Sequence, residues 1–274
     1  MKNASILDDV IVVRGGGDIA TGVIQKFFRA GMKVLVLEIP HPTAIRREVS
    51  LCEAVLRGVF TVEDMTARLI PSLDDCQSIW RNGEIPVYVD PAGLAIKELK
   101  PDGVVDAILA KKNMGTHAGM APAVIALGPG FSAPRDAHAV IETMRGHTLG
   151  KVIFDGGAMP NTGTPAAVAG HAADRVLYAP CGGTVKAFKQ IGDMVRAGEK
   201  IFSVGGIDVL TPFDGVLRGL IADGTPVAHG FKTADIDPRP DSDCRTVADK
   251  ARCIGGGALE AYLYLRRRII ADTD

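Results

Sequence analysis

The chain has 274 residues and a mass of 28.8 kDa, and its 47% apolar content suffices to fill the cores of one large or two ordinary domains. Lys and Arg number 31 against 32 Asp and Glu, so a net charge of -1 leaves no long-range positive field to attract nucleic acid. Gly (32) and Pro (16) imply many tight turns without reaching the proportion seen in low-complexity disorder.

Asp8 and Asp9 precede an apolar run of four residues, Val10 to Val13, so neither a signal peptide nor an anchor is expected. The longest uncharged stretch, 113–134, is broken by glycines and prolines that a membrane-spanning helix would not carry so densely. Five cysteines (Cys52, Cys76, Cys181, Cys244, Cys253) share no paired spacing, which argues against a disulfide framework or a cysteine zinc site. A soluble, cytoplasmic protein is expected.

Val10–Val13 reads as a short strand running into Arg14 and the glycines Gly15, Gly16 and Gly17. A helix follows from Asp18 to Ala30, with Ile19, Val23 and Phe27 on one face, and Gly31 stops it. Lys33–Glu38 then reads as a second buried strand, which completes a Rossmann-type strand, helix, strand opening. Pro42 and Thr43 open a second predicted helix carrying Ile45, Val49, Cys52 and Leu56, closed by Gly58. Apolar runs at 85–89, 104–109, 124–127 and 152–154 suit central strands, so an open parallel sheet is predicted over residues 1–172. Ligands of such sheets lie at the carboxyl ends of the strands.

Past Asp174 the texture changes. Pro180, Gly183, Gly192, Val195, Gly198 and Lys200 recur 32 residues later as Pro212, Gly215, Gly224, Val227, Gly230 and Lys232. Two copies of a hairpin unit predict a pseudo-symmetric β domain over 173–238. The remaining segment, 239–274, carries an apolar helical stripe (Val247, Ala251, Ile254, Ala258, Tyr262, Leu265) that should pack back on the first domain. Gly255, Gly256 and Gly257 interrupt it, which means either two helices or one helix approached very closely by another backbone. Arg266 to Arg268 read as a solvated helix end.

The strongest chemical signal is Gly15-x-Gly17-x-x-Ala20 after a strand and at a helix start, with Glu38 ending the next strand. Gly15 would make the tight turn, Gly16 and Gly17 would let N–H groups approach a pyrophosphate, and Ala20 would allow close helix packing. Glu38 would accept from ribose hydroxyls and favour an NAD-like ligand over NADP. Asp18 argues the other way, because its carboxylate would cap the free N–H groups and repel a phosphate, leaving a purely architectural glycine turn as the competing reading. Gly128, Gly130 and Arg145 complete the candidate cofactor-binding set at neighbouring strand ends, with Arg145 able to pair with a carboxylate or phosphate. His147 and His117 have no nameable orienting partner, which favours structural roles. Cys181 lies in a glycine turn where a thiolate could be exposed. Asp235, Asp237 and Arg239 read as an internal ion-pair group. No nucleophile and base stand at a defining spacing, so no catalytic residue and no metal is assigned.

The repeat at 177–232 resembles the biotinyl/lipoyl-like barrel-sandwich domain, whose carrier lysine lies on the hairpin between the halves. Here that hairpin, Val204 to Asp208, has no lysine, so a swinging-arm role is not implied. Taken together, VIVVRGGGDIATG (10–22), RREVSLCEAVLRG (46–58), VYVDPAG (87–93), ALGPGFSAPRDAHAVIETMRGHTLGKVI (126–153), NTGTP (161–165), KTADIDPR (232–239) and ARCIGGGALEA (251–261) resemble the YqeB-type family of selenium-dependent molybdenum hydroxylase system proteins. That family is similar in its Rossmann part to xanthine dehydrogenase accessory proteins. The resemblance implies an α/β protein with a Rossmann-like domain and a lysine-free barrel-sandwich. Its implied role is maturation of a molybdenum hydroxylase through an NAD-like dinucleotide or molybdopterin cytosine dinucleotide, with a hydroxylase subunit as partner and a homo-oligomer allowed. An NAD-dependent oxidoreductase and a non-catalytic docking protein stand beside it as alternatives.

Overall fold

The computed structural model describes residues 5–161, 163 and 167–271. Of these, 5–42, 50–161 and 247–271 form one compact unit, and 43–49, 163 and 167–246 form another. Among the described residues no helix is long and apolar enough to cross a membrane.

In chain order the first unit runs β1 (Val10–Arg14), α1 (Asp18–Arg29), β2 (Lys33–Glu38), α2 (Glu53–Arg57), β3 (Val59–Val62), β4 (Met65–Leu69), α3 (Cys76–Arg81), β5 (Ile85–Val89), α4 (Ala95–Leu99), β6 (Gly103–Asp106), β7 (Ala123–Leu127), β8 (Ala139–Ile141) and β9 (Val152–Ile153). After the second unit's eight strands, α5 (Asp249–Ala271) completes it. The nine strands make one sheet of order β3-β4-β5-β2-β1-β6-β7-β8-β9. The seven strands from β4 to β8 run parallel, and β3 and β9 close the two edges antiparallel.

The all-parallel Rossmann-like expectation is corrected by this mixed sheet. Val59–Leu69 is a hairpin turning at Glu63 and Asp64, with Glu63 at φ 53, and its short alternating strands carry no strong apolar run in sequence. The second predicted helix also shrinks to the five residues of α2. Tertiary partners claim the backbone groups that helix would have used: Cys52 N–H donates to the Gly16 carbonyl at 2.9 Å, and the Ile45 carbonyl accepts from Leu220 N–H at 2.7 Å.

Because side chains alternate along a strand, the sheet is buried on both faces. Val12, Leu35, Val104 and Val124 point to the layer formed with Ile79, Ile96 and Phe131. On the other face lie α1 and α5, where Phe27 and Tyr262 meet edge to face at 5.6 Å. The three glycines predicted to interrupt α5 do not break it, since it runs unbroken for 23 residues.

The second unit holds β10 (Val176–Tyr178), β11 (Gly183–Ala187), β12 (Met194–Val195), β13 (Lys200–Val204), β14 (Ile207–Leu210), β15 (Gly215–Leu220), β16 (Pro226–Val227) and β17 (Lys232–Asp237). The 32-residue repeat corresponds to β11–β13 and β15–β17, and the copies exchange strands. Gly183 pairs with Val227 as Val195 pairs with Gly215, and Gly192 N–H donates to Leu217 O as Gly224 N–H donates to Val185 O. The biotinyl/lipoyl-like assignment is nevertheless corrected: the unit consists of two four-stranded antiparallel sheets, β10-β17-β15-β12 and β14-β13-β11-β16, and takes in 43–49 from far upstream. Glycine spacing specifies where turns fall, and sheet membership is decided by the added β10 and β14, which lie outside the repeat.

Candidate functional site

At the carboxyl end of β1 the chain turns through Gly15 (φ +94) into α1, and the glycine turn is filled largely by the protein itself. A side chain on Gly16 would stand 2.9 Å from the Cys52 nitrogen, and one on Gly15 3.0 Å from the Ala107 carbonyl, so packing alone requires both glycines. Glu38 turns inward. Its Oε2 accepts from Gly16 N–H and its Oε1 from Ile39 N–H, both at 2.8 Å, so both carboxylate oxygens are already engaged. Burial pushes the Glu38 carboxyl above its ordinary value. Gly17 caps α1 with open space around it, Asp18 stands in the first helical turn, and Ala20 is fully buried against the sheet. Asp18 is therefore not the helix cap that the sequence suggested.

The other predicted residues are more dispersed. Gly128 and Gly130 follow β7, one strand removed from β1; a side chain would meet Thr143 Oγ1 at 2.7 Å from Gly128 and the Lys112 backbone at 2.8 Å from Gly130. Arg145 is already bound bidentately by Asp249, at 2.9 and 3.1 Å, in the first turn of α5. Lys250 beside it lies in the field of Arg145, Asp18 and Glu142, and burial with Arg145 pushes its ammonium group below the ordinary value. His147 is exposed. In the motif at 161–165, Thr162, Thr164 and Pro165 lie outside the described residues. Cys181 donates to the Val204 carbonyl at 3.2 Å. Asp235 faces Arg175, while Asp237 is gripped by Arg239, Arg218 and Ser242. Burial opposes ionisation of Asp237, yet the Arg239 guanidinium and N–H with Ser242 hold its carboxyl far below the usual range. Among the described residues no three His, Cys, Asp or Glu side chains gather as metal ligands would.

The histidine with a defined task is His138, whose Nδ1 accepts from Val124 N–H at 2.9 Å in the loop between β7 and β8. Protonation would destroy that acceptor, and burial accordingly lowers the imidazole pKa from 6.5. A depressed histidine contributes stability above its unfolded pKa that is lost as pH falls through the folded one. Denaturation across pH 7.5 to 5 (roughly the window set by an ordinary histidine) should show stability declining toward acid in the native chain. His138→Asn, which keeps an acceptor and cannot charge, should flatten that slope; an unchanged slope would remove His138 as its source.

Three buried residues escaped the sequence reading. Arg14, the last residue of β1, reaches the side chain of Asp106, the last residue of β6, at 3.6 Å, and both are nearly inaccessible. Thr116 lies between them, receiving a hydrogen bond from Arg14 Nη1 and donating to Asp106 Oδ2 at 2.5 Å. Asn113 Oδ1 accepts from Gly115 and Thr116 N–H, and Arg14 Nη2 reaches the Met114 carbonyl at 3.4 Å. The loop at 113–117 is thus tied to the two central strands. A charged residue ending an apolar run is the signal that could have found Arg14 and Asp106.

Beyond that loop the connection to β7 consists of a single 3₁₀ turn, Ala118–Met120, where a crossover helix would have covered the sheet. A cleft of about 780 Å³ remains between this segment and α4. Ile96, Met120 and Pro122 form its apolar part, and Lys97, Lys100 and His117 are its titratable groups. Asp90 shapes one end, accepting from Gly93 and Ala95 N–H at 2.9 and 2.8 Å.

Fold and site together define a mixed α/β protein with a ligand-sized cleft against its main sheet. Its sequence is 49% identical over 265 residues to the uncharacterized protein YqeB of Escherichia coli K12, a match covering 96% of this chain and 49% of the relative. The chain spans about half the length of that curated relative, and the similarity is consistent with a YqeB-type family. No family model matches. Among solved structures, a succinylglutamate desuccinylase/aspartoacylase from Rhodobacter sphaeroides is similar at 14% identity and TM-score 0.28, over 85% of this chain and 87% of that one. An aspartoacylase family protein from Mesorhizobium loti follows at 10% identity and TM-score 0.25, over 84% of each chain. Likenesses of that size supply neither fold nor chemistry. They are also not the molybdenum hydroxylase accessory proteins that the resemblance implied. The maturation role is corrected accordingly. Its dinucleotide cofactor and the alternatives sharing that site or the hydroxylase partner are not carried further, and the inward-turned Glu38 gives the physical reason.

Proposed function

We propose that this chain is a YqeB-type protein that binds a small molecule in the cleft between α4 and the 117–122 segment. The observation carrying the reading is the cleft itself: about 780 Å³ of space beside an apolar floor, with titratable groups at hand, where the β6–β7 connection lacks a helix. Ligand pockets combine those features, a mostly apolar wall with a few polar groups that fix orientation. The buried Arg14–Thr116–Asp106 group supports the reading, because it holds one wall of the cleft to the rigid centre of the sheet.

A thermal-shift screen of small metabolites tests this. A true ligand at a hundred times its Kd stabilises the native state by about 2.7 kcal/mol. Ala92→Trp, at an exposed lining position, should abolish the shift and leave the unliganded melting temperature in place. A hit that survives Ala92→Trp binds elsewhere and refutes the assignment.

A further inference from the structure

We infer that the ligand of this cleft is an amphiphilic organic anion, a carboxylic acid with an apolar tail; the inference rests on the small-molecule reading above. Charge is the first ground. Lys97, Lys100 and His117 line the cleft, and none of its lining residues is acidic, although the chain as a whole carries one more acid than base. The carboxylates nearest in the fold are already satisfied by the protein: Asp90 by the N–H groups of Gly93 and Ala95, Asp102 by Val10 N–H, and Asp106 by Thr116 and Arg14. Neither lysine pairs with any of them. An incoming anion therefore meets ammonium groups that the fold has not neutralised.

Backbone conformation is the second ground. Lys100 ends α4 in the left-handed region, at φ +46. Glycine fills such a position without strain, so a lysine there gives up conformational ease and places a cation beside the cleft. The third ground is the apolar surface. Ile96 is 3% exposed on the floor, whereas Leu94 at the entrance is 66% exposed, a large apolar side chain left in water unless something lies over it. Cations with apolar surface on one cleft suit a carboxylate head and a hydrocarbon tail, and they offer little to a polyanion or a sugar.

Sodium octanoate and its uncharged analogue octanamide make the test, by calorimetric titration at low ionic strength into the native chain, Lys97→Gln/Lys100→Gln and Ala92→Trp. Octanoate should bind the native chain about tenfold more tightly than octanamide, the ratio expected of a charge-assisted contact over a neutral one. The double lysine variant should erase that preference and leave octanamide binding unaltered, and added salt should weaken octanoate alone. Ala92→Trp should remove both. Equal binding of acid and amide by the native chain, or an acid preference that survives the loss of both lysines, overturns the anion inference and leaves a small-molecule cleft. Failure of both probes, with no hit from the thermal screen, ends that reading as well.

Discussion

Alanine at Gly257 should destabilise the protein by about 3 kcal/mol, whereas alanine at the adjacent Gly256 should stabilise it by up to about 1 kcal/mol. Both residues lie in the interior of α5, where helix propensity alone favours alanine at each. What separates them is the neighbour. A Cβ on Gly257 would stand 2.1 Å from the Gly150 carbonyl oxygen, and one on Gly256 would meet nothing within 4 Å. Gly255 belongs with Gly257: its Cβ would fall 2.3 Å from the Gly22 carbonyl oxygen in α1, and a Cβ on Gly22 would fall 2.5 Å from the Ala251 carbonyl oxygen. These clashes involve backbone, which cannot rotate away, so relief requires the two helices to separate. Urea unfolding of the single variants decides the matter, and three equal shifts for Gly255, Gly256 and Gly257 would show that the backbones do not approach so closely.

Removal of the Asp9 carboxylate should cost about 3–5 kcal/mol, the range for breaking a buried ion pair by deleting one partner. Asp9 is 5% exposed; its Oδ2 accepts from Tyr262 Oη at 2.7 Å and from Arg266 Nε, and its Oδ1 accepts from Arg266 Nη2 at 2.9 Å. Burial and the Asp9 carboxylate push the Tyr262 phenol far above its ordinary value, so it stays a donor. Asp9→Ala strands the Arg266 guanidinium in a nearly inaccessible site. The double variant Asp9→Ala/Arg266→Met should recover a large part of the loss, because it leaves no buried charge unpaired. Tyr262→Phe should cost less, about 1.5–3 kcal/mol, as the loss of one hydrogen bond to a charged group. A double variant as unstable as the single would locate the cost in packing, not in charge.

The same region shows how far local pattern carries. Arg266 to Arg268 were expected as a solvated helix end, yet Arg266 points inward to Asp9, 257 positions earlier in the chain. No periodicity shows a pairing across that separation. The glycine turn is a similar case, since its position after β1 follows from the short β-branched run and the three glycines. The direction of the Glu38 carboxylate does not, because it depends on the register that sets Arg14 beside Leu37 and so brings the end of β2 against Gly16. Lys97 and Lys100 carried no signal in sequence, for a lysine near the end of a short helix usually marks a solvated surface. Only the missing helix between β6 and β7 turns that surface into the wall of a cleft.

The sequence by itself determined the elements whose information is local. The β1–α1–β2 opening follows from apolar period and glycine stops. The 32-residue repeat follows from matched turn residues, and the close approach at Gly255 from glycines kept where a helix would favour alanine. Tertiary structure decided which strands became sheet edges, where residues 43–52 went, and which charges were buried together at Arg14, Asp106 and Asp9. Those outcomes depend on backbone and side-chain groups finding partners ten to more than two hundred positions away. Local propensity is a sum over near neighbours, and a buried polar group must instead be satisfied by whatever the whole fold brings within reach.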